Sequence, residues 1–373
     1  METILLISIA VAAGLLLAVR HNASNRASPS SGLTPSEEPA MSKSAKPAVK
    51  PAVEPQAAPP ADDTQPGAPG VTAASADNTA GRSAAGTGLF EGVRTWGYQL
   101  QKVSMKDVAA SPFDLMVIDY SKDGSDAQAF TPGDIARMKI KPDGSRRQII
   151  AYMSIGEAES YRYYWDPAWT DAKPTWLLDE NPDWKENFSV CYWDPAWQAT
   201  FCGKPTSYLD KIIAAGFDGV YLDKCDVFED LQDRIPKVAK TRPNLEGDMV
   251  NFVSRLSQYA KTRKPPFAVI MQNAEILLEH EALREAIDGV AKEALLYGIP
   301  GPEKPNPKDE IMFAHRALDL ARDAGRTVFV VEYLNDEDKI RDAVCTLDDW
   351  GYLATTSAKS RKLDHLNPEP MLA

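Results

Sequence analysis

From residue 96 onward, short apolar runs rich in β-branched and aromatic residues alternate with longer stretches in which apolar positions recur at helical spacing. The short runs fall at 96–100, 114–120, 148–155, 219–223, 268–273, 289–295, 327–333 and 351–356. Helical periodicity is clearest at 249–261 and 311–324. Eight strands alternating with helices predict an α/β fold, a closed parallel (β/α)8 TIM barrel. A doubly wound open sheet fits less well, because no Gly-rich phosphate loop follows the first run and no P-loop occurs anywhere in the chain.

One connection breaks the regular spacing. Residues 157–217, between the third and fourth runs, hold six of the eight tryptophans: Trp165, Trp169, Trp176, Trp184, Trp193 and Trp197. Tyr-Trp-Asp-Pro-Ala-Trp occurs twice there, at 164–169 and 192–197. Asp as N-cap and Pro at the first helical position predict two helix starts, with most of the rings packed on the barrel. One or two rings left open over the strand ends would give a sugar polymer a flat surface to stack on.

Ahead of the barrel the pattern is different. Residues 5–19 are an apolar run of signal-peptide length, shorter than the ~20 residues of a spanning helix, and Ala18 or Ala23 could end a cleavage site. Residues from 22 to about 88 are dense in Ala, Pro, Ser and Gly and read as a solvated tether. The expected organisation is an export signal or membrane anchor at 1–23, a linker at 24–88 and a catalytic domain at 89–373. A secreted or periplasmic monomer follows, touching the membrane only through its N-terminal segment.

Composition narrows the chemistry. A formal net charge of −12 argues against a nucleic-acid partner and is compatible with a cationic ligand. The four cysteines and four histidines have no metal-ligand spacing, so no metal and no cofactor is expected. In an exported protein Cys191 and Cys202 are expected to form a disulfide across the aromatic loop, leaving Cys225 and Cys345 as buried thiols.

The chemistry-bearing residues are acids at the ends of the runs: Asp119, Glu157, Glu159, Asp223, Asp226, Glu275, Glu293 and Glu332. Any one of them could cap the following helix, but six strands share the feature, and active sites of this fold sit at the C-terminal strand ends. Strand parity puts Tyr221 and Asp223 on one face, opposite Val220 and Leu222. Glu293 ends a similar run at 288–293, and alternate strands of a barrel feed the same interior layer, so Asp223 and Glu293 can share one space. Two opposed carboxyl groups are what glycosidic cleavage requires. Competing chemistries lack parts: there is no G-x-S-x-G elbow, no Cys with an evident His partner and no His/Asp cluster for a catalytic metal.

Five ordered segments carry a family resemblance. They are Trp-Gly-Tyr-Gln-Leu-Gln at 96–101, Phe-Asp-Leu-Met-Val-Ile-Asp-Tyr-Ser at 113–121, Ala-Tyr-Met-Ser-Ile-Gly-Glu-Ala-Glu at 151–159 with Tyr-Arg-Tyr-Tyr-Trp at 161–165, Gly-Phe-Asp-Gly-Val-Tyr-Leu-Asp at 216–223, and Gln-Asn-Ala-Glu at 272–275. Together they resemble the endo-α-1,4-polygalactosaminidases, glycoside hydrolase family 114, and related bacterial barrels. The resemblance implies endo-hydrolysis of an α-1,4-linked, galactosamine-rich exopolysaccharide by the acids of the fourth and sixth strands, here Asp223 and Glu293. Asp223 is taken as nucleophile or base and Glu293 as general acid, with Glu275 as the substitute for Glu293. Tyr98, Asp119, Tyr152, Glu157, Glu159, Tyr221, Asp226, Gln272, Asn273, Glu275 and Tyr333 are expected to bind substrate, with Asp119, Glu157, Glu159 and Asp226 pairing to its ammonium groups. Two alternatives stay open: a tethered barrel that binds polysaccharide without cutting it, and a glycosidase for another α-linked glycan.

Overall fold

A computed structural model describes residues 88–366. The expected export segment and all but the last residue of the expected linker lie outside the described residues. Among the described residues eleven strands occur in chain order: β1 (Trp96–Gln99), β2 (Leu115–Ile118), β3 (Gln148–Ser154), β4 (Glu157–Glu159), β5 (Leu177–Asn181), β6 (Trp184–Val190), β7 (Gly219–Asp223), β8 (Ala268–Gln272), β9 (Gly289–Glu293), β10 (Thr327–Tyr333) and β11 (Leu353–Ser357). Eight of them form one parallel sheet in the order β1-β2-β3-β7-β8-β9-β10-β11, a nearly closed (β/α)8 barrel. Each predicted run overlaps one barrel strand, and β11 ends one residue beyond its run.

Side-chain alternation divides the apolar residues into two clusters. Trp96, Tyr98, Leu115, Val117, Ile150, Tyr152, Tyr221, Ile270, Ala291, Phe329, Val331 and Tyr333 fill the barrel interior. Their strand neighbours Met116, Ile118, Ile149, Met153, Val220, Leu222, Val269, Met271, Val290 and Val330 pack outward against the helices. At the N-terminal end of the barrel Phe90 meets Phe329 edge to face at 5.2 Å, and Phe329 meets Trp96 at 5.4 Å. Gly289 makes room for this packing, since a Cβ there would lie 2.9 Å from the Phe329 ring.

The helical expectations hold with extended ends. Leu245–Arg263 starts at Asn244, whose Oδ1 accepts from Gly247 N–H at 2.9 Å, and Lys308–Asp323 covers the second predicted helix. Among the described residues no helix is long and apolar enough to cross a membrane.

Between β1 and β11 the barrel is sealed by other means than a strand ladder. The Trp96 indole Nε1–H donates to Leu353 O at 2.9 Å. The segment after β11 then folds back, and Leu363 O accepts from both Leu100 N–H and Gln101 N–H at 2.9 Å. The Leu363 side chain is buried in the interior cluster.

The long connection carries a small antiparallel sheet, β4-β6-β5, which the sequence pattern did not predict. Both repeats start helical turns as expected: Asp166 Oδ1 accepts from Ala168 N–H at 2.9 Å and Asp194 Oδ1 from Ala196 N–H at 2.8 Å. The rings form a chain, with Trp165 and Trp169 centroids 5.2 Å apart, Trp169 and Trp176 4.9 Å, and Trp176 and Trp197 5.0 Å. Trp184, at the start of β6, instead packs on the barrel-interior cluster.

The cysteine expectations need correction. Cys191 and Cys202 are free thiols, with Cys202 Sγ turned to Gln198 O at 4.0 Å, and the aromatic chain consolidates the loop without a crosslink. Cys345 is exposed, because the helix Glu337–Asp349 buries Ala343, Val344 and Leu347 and turns Cys345 outward.

Candidate active site

Parity along the strands brings Asp223 of β7 and Glu293 of β9 into the barrel mouth, one strand apart with β8 between them. Asp223 is 4% exposed and Glu293 6%. Tyr152 Oη–H donates to Asp223 Oδ2 at 2.5 Å, and Lys224 N–H donates to Oδ1 at 2.7 Å. Glu293 receives more: Tyr333 Oη–H donates to Oε1, while Gln272 Nε2–H and Asn273 Nδ2–H donate to Oε2. Asn273 Oδ1 also accepts from Glu293 N–H at 3.2 Å, clamping the residue at both backbone and side chain.

These environments separate the two acids electrostatically. Burial pushes the Asp223 carboxyl well above the usual carboxylate range, and the Glu293 charge pushes it further. Burial also raises Glu293, but the Tyr333 hydrogen bond, the Arg361 charge, the Asn273 hydrogen bond and the Lys292 charge all oppose it. The two acids therefore repel one another through a shared low-dielectric space, with donors concentrated on Glu293.

A ring of phenols completes the mouth. Tyr98 Oη–H donates to Gln272 Oε1 at 3.4 Å, and the Tyr98 and Tyr221 ring centroids are 5.2 Å apart. Burial drives Tyr98, Tyr152, Tyr221 and Tyr333 well above the ordinary phenol value, so all four stay neutral phenols. Tyr221 Oη is buried with no hydrogen-bond partner among the described residues. Thus Tyr98, Tyr152, Tyr221, Gln272, Asn273 and Tyr333 cluster with Asp223 and Glu293.

The remaining acids are placed differently. Arg162, fully buried, joins Asp119 Oδ1 at 2.8 Å and Glu159 Oε2 at 2.7 Å, and lies over the rings of Tyr152, Tyr161 and Tyr208. Glu157 Oε1 accepts from Asn181 Nδ2–H at 2.8 Å and sits 3.6 Å from Lys224 Nζ. Asp119, Glu157 and Glu159 are at most 1% exposed, so their charges are spent on protein cations rather than offered to a ligand. Asp226 is partly exposed, 3.8 Å from Lys224 Nζ. Glu275 pairs with Lys292 at 2.5 Å, and Lys292 alternates with Glu293 on β9 and so faces away from the barrel interior. Glu332 also faces outward, accepting from Leu296 N–H at 2.7 Å.

The backbone turns sharply behind each key side chain. Lys224, Asn273 and Ala294 have φ of 59°, 53° and 52°, and they directly follow Asp223, Gln272 and Glu293. A left-handed non-glycine residue costs on the order of 1–3 kcal/mol, and such strain concentrates at functional sites. Gly156 permits the neighbouring close approach, because a Cβ there would lie 2.1 Å from Lys224 O.

Comparison with known proteins fits this geometry. The model of glycoside-hydrolase family GH114 matches residues 73–370. The chain belongs to that family. It is a glycoside hydrolase. An uncharacterized protein of Methanocaldococcus jannaschii is 38% identical over 283 residues, covering 73% of this GH114 chain and 78% of its own. An uncharacterized protein of Deinococcus radiodurans is 34% identical over 256 residues, covering 67% and 76% respectively. The glycoside hydrolase domain of PelA from Pseudomonas aeruginosa shares the fold, with a TM-score of 0.55 at 20% identity over 74% of this chain and 97% of that domain.

Three cations of this GH114 site escaped the sequence reading. Arg162 had a visible signal, as the one basic residue inside the aromatic segment 161–165. Lys224 follows Asp223 directly, whereas Arg361 lies beyond the last strand and had no signal at all.

Proposed function

We propose that this glycoside hydrolase cleaves an α-1,4-linked, galactosamine-rich polysaccharide, with Asp223 as proton donor and Glu293 as nucleophile or base. The observation that carries the reading is the pair of buried, electrostatically coupled carboxyls at the barrel mouth with unequal donor sets. A carboxyl kept protonated by burial and a neighbouring anion can give its proton to the glycosidic oxygen. A carboxylate steadied by Tyr333, Gln272 and Asn273 can attack the anomeric carbon or take a proton from water. These donor sets favour the reverse of the roles first assigned from the resemblance.

The polymer class rests on the family resemblance and on the tyrosine-lined mouth. Because Asp119, Glu157 and Glu159 are already matched by Arg162 and Lys224, recognition of an ammonium group would draw on Asp226 and Glu293. The apolar run at 5–19 and the tether behind it support export. The test is a panel of α- and β-linked polysaccharides, with product sizes measured for the wild type, Asp223→Asn and Glu293→Gln. Short oligosaccharides from galactosamine polymer, and a loss of at least ~10³-fold in both folded variants, are expected. Wild-type rates in either variant, or cleavage confined to other glycans, would refute the proposal.

A further inference from the structure

The segment after β11 reaches Tyr333, the donor to Glu293, as well as the seam. Arg361 Cζ lies 4.9 Å from the centroid of the Tyr333 ring, the phenol of which donates to Glu293 Oε1. The guanidinium also lies against Gly298, where a Cβ would fall 2.5 Å from Nη2. Unlike Arg162 and Lys224, it makes no hydrogen bond or ion pair through its side chain with the described residues. Its backbone is well tied: Arg361 N–H donates to Ala358 O at 2.9 Å, Lys359 Nζ meets Glu303 at 3.0 Å, and Leu363 O takes the two N–H groups after β1.

We propose that Arg361 is a positioning residue for Glu293: seated over the Tyr333 ring, it fixes the phenol that donates to the carboxylate and brings a positive charge near it. This rests on the reading of Glu293 as the ionised partner. Guanidinium stacking on a ring is stronger than that of an ammonium, and a nearby cation favours a carboxylate's charged form. The other groups facing Glu293 are Tyr98 from β1, Tyr221 and Asp223 from β7, Gln272 and Asn273 at the end of β8 and Tyr333 from β10, while the charge of Lys292 acts on it from the outer face of β9. Of these only Lys292 is cationic, and it is held by Glu275.

The experiment is a pH titration of the full chain carrying carboxyl-¹³C glutamate, with the Glu293 resonance identified by its loss in Glu293→Gln. In Arg361→Gln the midpoint of Glu293 is expected to rise by about one pH unit, roughly tenfold in proton affinity, and Arg361→Lys to recover much of it. The acid limb of kcat/KM on galactosamine polymer should move upward with it. An unchanged midpoint in Arg361→Gln overturns the positioning role. A shifted midpoint with an unshifted acid limb supports the Arg361 contact and overturns the assignment of Glu293 as base.

Discussion

Replacing Arg162 by methionine isolates what the buried ion cluster contributes. The substitution keeps most of the aliphatic stem and removes the guanidinium that joins Asp119 at 2.8 Å and Glu159 at 2.7 Å. Both carboxylates then sit in a site with almost no solvent contact and no cation. Removing one partner of a buried pair costs about 3–5 kcal/mol, most of it the price of the stranded charge. With ~2.1 cal/mol/K of unfolding entropy per residue over the roughly 280 described residues, that corresponds to a fall in Tm of about 5–8 °C. Activity should drop as well, since Arg162 also lies 5.9 Å over the ring of Tyr152, the donor to Asp223. Thermal and urea unfolding of Arg162→Met, beside Asp119→Asn/Arg162→Met/Glu159→Gln, separates charge from packing. The triple variant should regain much of the loss, because neutral side chains carry no stranded charge. A loss under ~1 kcal/mol in the single variant, or equal instability in the triple, would refute this account.

Tyr333→Phe should raise the proton affinity of Glu293 and lower kcat/KM near the acid limb by about tenfold, read from pH–rate profiles; an unshifted limb would contradict the donor role of Tyr333. Burial pushes Glu332 up to about 8 from its ordinary 4.5, so its folded form holds a proton that the unfolded chain releases. Its contribution to stability is complete below about pH 4.5 and fades as pH rises towards about 8, and Glu332→Gln should flatten that part of the stability profile by a few kcal/mol. Trp184→Ala should raise KM for long polymer more than for short oligosaccharides, since this ring alone of the loop's tryptophans packs on the barrel-interior cluster. Thiol titration of the native protein should label the exposed Cys345 first and the buried Cys225 last, and intact mass under non-reducing conditions should show no Cys191–Cys202 crosslink.

The barrel was legible because both faces of its strands are buried, one in the interior and one under the helices, which writes each strand as a near-continuous apolar run. Parity then placed Asp223 and Glu293 in the mouth, since a strand's two faces differ by a single step. The hairpin of β5 and β6 was hidden because its strands are polar and its register shifts between Leu177 and Asn181. Which acids are neutralised was also hidden. Arg162 meets Asp119 from 43 positions away, and nothing local distinguishes a strand-end acid that holds an arginine from one that faces substrate. The division of roles proposed for Asp223 and Glu293 rests on donors from β3, β8 and β10, which the residues of β7 and β9 do not reveal.

The seam between β1 and β11 separates completion of the sheet from completion of the barrel. A chain that has emerged only as far as β11 already contains all eight barrel strands, yet the N–H groups of Leu100 and Gln101 still lack the Leu363 carbonyl, and Tyr333 still lacks Arg361. During synthesis the first strand therefore waits for residues more than 260 positions later, about the longest sequence separation of any backbone pairing in the barrel. A truncation just past Ser357 would keep every described strand and still remove Leu363 and Arg361, so the segment 361–363 acts as a latch on the end of β1.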